Sequence, residues 1–150
     1  MSEWITPVFD RTYDDVYFAI TKLAEWKEKG SIDVYELKGC LNVSDINRIE
    51  NNVKFLSDEL SKLYYFPHTT TDYWWEDSLP KINDINRIIG NVKKIISAYY
   101  QIQGTPSVPD TMLTYEHINS IEENLMNVYT ILNDMKDNFR ECDTFECGEE

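Results

Sequence analysis

The residues that most often carry chemistry are scarce in this chain. His68 and His117 are its two histidines, and neither stands at zinc-ligand spacing from a cysteine or from the other. The three cysteines, Cys40, Cys142 and Cys147, are an odd number and complete no disulfide framework. Cys142 and Cys147 also lie too far apart for a Cys-x-x-Cys redox motif. Basic residues are few: 14 Lys and Arg face 27 Asp and Glu, a formal net charge of -13. That balance opposes docking on nucleic-acid phosphates or an anionic membrane surface, and suits a partner with a basic surface. Lys93–Lys94 is the best small basic candidate. No apolar run is long enough to span a bilayer, and Met1–Ser2–Glu3–Trp4 does not open like a secretion signal. There is no Gly-rich phosphate loop and no nucleophile elbow. The adjacent acids Asp14–Asp15 read as helix-start residues, and Glu76–Asp77 has no facing geometry implied by its spacing. No enzymatic activity, cofactor or metal is expected, and synthesis takes place in a cytoplasm without obligatory disulfides.

What the chain does have is apolar residues at helical spacing. With 42% hydrophobic residues over 150 positions it can bury one modest core. Thr12 and Asp15 form a capping box, Val16, Ile20, Leu23 and Ala24 a stripe, and Gly30 a stop, which predicts a first helix. After Leu41, Asn42 with Asp45, or Ser44, starts a second helix. Its seam is Ile46, Ile49, Val53, Leu56, Leu60 and Leu63, and Pro67 ends it. A third helix from Asn83 or Asp84 carries Ile85, Ile88, Val92, Ile95 and Tyr99. A fourth, capped by Thr114, carries Ile118, Ile121, Leu125, Val128, Leu132 and Met135. The expected fold is all-α: a small antiparallel helical bundle with repeated helix motifs and an aromatic-rich connecting loop. Its parts would be an N-terminal arm at 1–11, the bundle at 12–136 and an acidic flexible tail at 137–150.

One helical phrase occurs three times. Asp45–Ile46–Asn47–Arg48–Ile49–Glu50–Asn51–Asn52–Val53 returns as Asp84–Ile85–Asn86–Arg87–Ile88–Ile89–Gly90–Asn91–Val92. A looser copy is His117–Ile118–Asn119–Ser120–Ile121–Glu122–Glu123–Asn124–Leu125. Asn costs helix propensity, so its recurrence at 47, 86 and 119 and at 52, 91 and 124 needs a cause. Hydrogen bonding to a loop backbone or another helix is the favoured one; retention after duplication, and ligand binding, are the others. Arg48 and Arg87 recur three residues after Asp45 and Asp84, the spacing of surface ion pairs. Outside the helices, Trp4 and Phe9 in the arm and Tyr73–Trp74–Trp75 in the loop are candidate interface residues, with capping of the bundle as the alternative.

The ordered combination of short words resembles a family of tail-associated or fibre-associated structural proteins of tailed bacteriophages and prophages of Gram-positive hosts. The words are Trp4–Ile5–Thr6–Pro7, Asp10–Arg11–Thr12, Asp15–Val16, Leu41 to Glu50, Asn52–Val53, Arg87 to Val92, Pro109 to Glu116, Asn119 and Ile121–Glu122. The resemblance implies a virion structural or adaptor protein of tail, baseplate or fibre, located in the virion after synthesis in the host cytoplasm. It implies other virion proteins as partners and a homo-oligomer within the assembly, with no direct nucleic acid and no membrane insertion. It carries over no catalytic residue. The alternative for so acidic a phage protein is an inhibitor of a host nucleic-acid-binding defence protein.

Overall fold

The computed structural model describes residues 3–31, 37–63, 66, 69–75, 77–98 and 103–144, with side chains described up to 138. The readings placed on Tyr64–Tyr65, Pro67, His68, Glu76, Tyr99 and the last six residues, Cys147 among them, lie outside these, as does the side chain of Cys142.

All the regular elements among the described residues are helices: α1 (Tyr13–Lys29), α2 (Val43–Leu63), α3 (Ile82–Ser97) and α4 (Tyr115–Thr144). Their starts follow the local chemistry. Thr12 and Asp15 close the capping box at α1, and Gly30 stops that helix with φ 76°, a backbone conformation that glycine adopts without strain. At α2 the Asn42 N–H donates to Asp45 Oδ2 at 2.9 Å, and at α3 the Lys81 N–H donates to Asp84 Oδ2 at 2.8 Å. At α4 the His117 N–H donates to Thr114 Oγ1, while His117 Nδ1 accepts from the Leu113 and Thr114 N–H groups. His117 is thus a capping residue. α4 runs through Thr144, past the expected boundary at 136.

α2, α3 and α4 pack against one another in all three pairings and enclose one core. Ile46, Ile49, Val53, Leu56, Ile88, Val92, Ile118, Ile121, Leu125 and Val128 are buried as their spacing predicts. Ile85 is half-buried against the same cluster.

The order of contacts corrects the antiparallel arrangement. Arg48 pairs with Glu122, and Glu59 pairs with Lys136, so positions rise together along α2 and α4. In an antiparallel pair with Arg48 on Glu122, the other two residues would sit about 38 Å apart, at 1.5 Å per residue. The loop before α3 runs down both of its neighbours. Asp72 and Trp74 meet Glu50 and then Asn47 of α2, while Thr70 meets Asn91 and Asp72 meets Arg87 of α3. A segment antiparallel to both helices makes α2 and α3 parallel. The physical reason lies in the connections: 64–81 and 98–114 are long enough to return along a helix before the next begins, whereas a short turn would reverse direction.

α1 departs from expectation. Ile20 is 60% exposed and Leu23 46%, Ala24 is exposed, Val16 is half-buried, and only Ala19 of this helix is buried. Helical spacing marks an apolar face without saying whether a groove is free to receive it. Here α2, α3 and α4 already cover one another, and non-helical segments occupy the grooves between them. α1 is held at its start, where Gly39 abuts the helix so closely that a Cβ there would lie 2.2 Å from the Asp15 carbonyl oxygen.

Candidate functional site

The repeated asparagines act as backbone clamps. In the Asn52 clamp, the Ile5 N–H donates to Oδ1 at 3.0 Å while Nδ2 donates to the Ile5 carbonyl at 2.7 Å. Asn47 grips Trp74 in the same two-sided way, at 2.8 and 2.9 Å. Asn119 grips Arg11 at 3.2 and 2.9 Å. Asn91 donates to the Thr70 carbonyl and Asn124 to the Pro106 carbonyl, both at 2.9 Å. A carboxamide offers one acceptor and a donor group side by side, which matches the N–H and C=O of one residue in a non-helical strand of chain. The cost of Asn in a helix is offset because these segments have no ladder of their own to satisfy their backbone groups. Of the six recurring asparagines, Asn86 is exposed and clamps nothing among the described residues.

The charged members of the motif join the helices. Glu50 of α2 takes Arg87 of α3 at 2.8 Å, and Glu122 of α4 takes Arg48 of α2. Arg48 also reaches Asp45 at 2.6 Å, three residues back as its spacing predicts. Arg11 enters this second pair from the arm, donating to Asp45 at 2.8 Å, Glu122 at 3.0 Å and the Val8 carbonyl at 2.6 Å. Arg11, Asp45 and Glu122 are buried, so two guanidinium groups and two carboxylates neutralise one another where water is excluded. Burial alone would push the Arg48 guanidinium down, but the hydrogen bonds and charges of Glu122 and Asp45 hold it above its usual value. Burial opposes the Arg87 charge too, and Glu50 outweighs it. Arg11 was not singled out as a site residue by the sequence reading. Its signal was its place in the word Asp10–Arg11–Thr12, outside the three copies.

These links follow a rule. The motif Glu of one copy holds the motif Arg of the next helix round the bundle: Glu50 holds Arg87, and Glu122 holds Arg48. The third link would join α3 to α4, where the equivalent positions are Ile89 and Ser120. Neither residue can supply its half of such an ion pair, and Asn86, on the same helix, is the recurring asparagine with no clamp among the described residues. Lys93 of α3 pairs with Asp110, and Asn124 of α4 donates to the Pro106 carbonyl, so each helix holds the loop between them, while the helices themselves meet in the core.

The aromatic candidates divide. Trp4 stacks on Tyr129 with ring centres 4.1 Å apart and planes 3° from parallel, and tilts against Phe55 at 5.8 Å. It fastens the arm to the core. Trp74 is half-buried against the core, and its indole N–H is buried with no hydrogen-bond partner among the described residues. Tyr73 and Trp75 face outward, 69% and 67% exposed, and meet edge to face at 5.1 Å. Phe9 is 39% exposed. Downstream of the pair, Leu79 and Ile82 are more exposed still, at 86% and 71%.

Other features are modest. A cavity of about 70 Å³ lies between Arg11, the Gly39–Leu41 turn and the residues from Met112 to Ile118. Ligand pockets run to about 300–1,000 Å³. Among the described residues no group of three or more His, Cys, Asp or Glu is placed to hold a metal ion, and no helix is long and apolar enough to cross a membrane.

Fold and site together define a helical scaffold: three parallel helices bearing one motif, with polar residues that bind its own loops. Comparison with family models, with curated proteins and with solved structures finds no match to this chain.

Proposed function

We propose that the chain is a non-enzymatic structural or adaptor protein of a phage virion, associated with tail, baseplate or fibre, and that it attaches to neighbouring virion proteins through Tyr73 and Trp75. The observation that carries the reading is a division of labour. The repeated polar residues are turned inward onto the chain's own backbone, while a rigid pair of large aromatics is left in solvent. Tyr and Trp at such a surface gain much contact area for little loss of side-chain freedom. Trp4 and Trp74 pack on the chain's own core instead.

Replacing Tyr73 and Trp75 together by Ala tests this. Both side chains are largely exposed, so the urea midpoint of the purified protein should shift by no more than about 0.5 kcal/mol in stability. Incorporation into particles, read by mass spectrometry of purified virions, should fall at least tenfold. Incorporation at the normal level would refute the assignment. The net charge of -13 supports the second reading, an acidic inhibitor of a nucleic-acid-binding defence protein. That reading gains if the protein is absent from virions and competes with nucleic acid for a basic host protein.

A further inference from the structure

Among the described residues, the clearest unpartnered surface is α1. Tyr13, Tyr17, Ile20 and Leu23 are 69%, 64%, 60% and 46% exposed, although the helix buries only Ala19. At about 100° per residue, every side chain of α1 within about 60° of Ile20 is apolar except Lys27: the set is Tyr13, Val16, Tyr17, Ile20, Leu23 and Ala24. Ala19 lies about 100° round, toward the bundle. Asp14 and Glu28 lie about 120° and 80° away on the other side, where water can reach them. Phe18 is on the far face, with the Lys22 ammonium 5.5 Å from its ring centre.

We propose that α1 pairs antiparallel with α1 of a second copy of this chain, with the two Ile20 side chains meeting at the two-fold axis. Two features select this occupant and this direction. The first is charge. α1 bears four acidic and three basic side chains, so it is nearly neutral in a chain of net charge -13. Two copies approaching along α1 therefore meet little like-charge repulsion from the helix itself. The charges of α1 are also ordered, with Asp14 and Asp15 in the first turn and Lys27 and Lys29 on either side of Glu28 in the last. An antiparallel pair sets the acidic first turn beside the partner's net-positive last turn and opposes the helix dipoles; a parallel pair would set Lys27 on Lys27. The second feature is register. With Ile20 at the axis, Tyr13 is level with the partner's Lys27, whose ammonium and methylene stem fit over a phenol ring. Tyr17 is then level with the partner's Leu23. A contact between two helices of this length falls toward the lower end of specific interfaces, on the order of 1,000 Å² in total, so the dimer is a weak one. The pairing refines the homo-oligomer expected above, yet its test needs no virion.

Sedimentation velocity of the purified full chain should show monomer at about 1 µM and mostly dimer at about 200 µM, for a dissociation constant of order 10 µM. Ile20→Asp should stay monomeric throughout with an unchanged circular dichroism spectrum, and Ile20→Leu should dimerise. Ile20→Cys, with Cys40, Cys142 and Cys147 changed to Ser, should cross-link to a second copy under mild oxidation, because a disulfide needs the two Cα atoms within about 7 Å. A wild-type chain still monomeric at 200 µM overturns the proposal, whether another protein or another part of this chain covers α1. So does a dimer that tolerates Ile20→Asp, or one in which Ile20→Cys does not cross-link.

Discussion

Asn52 is 1% exposed, and both ends of its amide are engaged by a single residue 47 positions away. Replacing it by Ala leaves the Ile5 N–H and C=O without that partner. Ile5 is 46% exposed, so water can restore part of the loss, and the cost should be about 1–2 kcal/mol in urea unfolding. The amide proton of Ile5 should exchange with solvent many times faster than in the parent protein. Asn52→Asp should be worse than Asn52→Ala, because it removes the donor and buries a charge. If neither variant changed stability or exchange at Ile5, the clamp would be a coincidence of geometry. The recurrence of these asparagines was legible in the sequence, and so was hydrogen bonding to a loop as its cause. Which loop each one holds was not. Those partners lie 18 to 108 residues away, and a spacing pattern contains no information about separations of that size.

Between elements, legibility followed range. The capping box of α1, the Gly30 stop, the Thr114 cap and most of the seams of α2, α3 and α4 depend on residues within a few turns and were readable; Leu63, at the end of the α2 seam, is 37% exposed instead. The direction of the helices was not, since the same seam serves a parallel or an antiparallel neighbour. The α1 stripe misled for a related reason: an apolar face reports a need for cover, and the cover was assumed to be the bundle. The same inter-element view gives a pH dependence. Burial pushes the Glu59 carboxyl up, but hydrogen bonds from Lys136 and Lys62 outweigh it and hold the group below its ordinary value of 4.5. A carboxyl with a lowered folded-state pKa contributes stability that is complete above its unfolded value and is lost as pH falls through the folded one. The tie between α2 and α4 near Glu59 should therefore hold above about pH 4.5 and weaken below it. Glu59→Gln should reduce the loss of stability between pH 5 and pH 3, measured by thermal melts. An unchanged acid slope in that variant would count against the tie.

Across the whole molecule, the missing third link invites its own restoration. Ile89 is 4% exposed and Ser120 half-buried, at the positions equivalent to Glu50 and Arg48. Ile89→Glu alone should cost about 3 kcal/mol or more by burying an unpaired carboxylate, and Ser120→Arg alone should cost less. The double substitution should recover part of the loss, with a favourable coupling of about 1–3 kcal/mol in a double-mutant cycle. Coupling near zero would mean that the two positions do not face each other as their counterparts do, and that the resemblance among the three seams stops at sequence.

Arg11 touches Glu122, 111 residues further along the chain. Helical proteins usually fold fast because their contacts are local. Here the buried charge cluster cannot form until the last helix is in place, since Glu122 supplies one of its carboxylates. Asp45 and Arg48 can pair locally, but their links to Arg11 and Glu122 require loop closure over a long stretch of chain before that attraction is gained. The molecule therefore adds a buried contact of long sequence separation to helical secondary structure. Its folding should be correspondingly slow, with the arm docking as a late event that joins the beginning of the chain to its end.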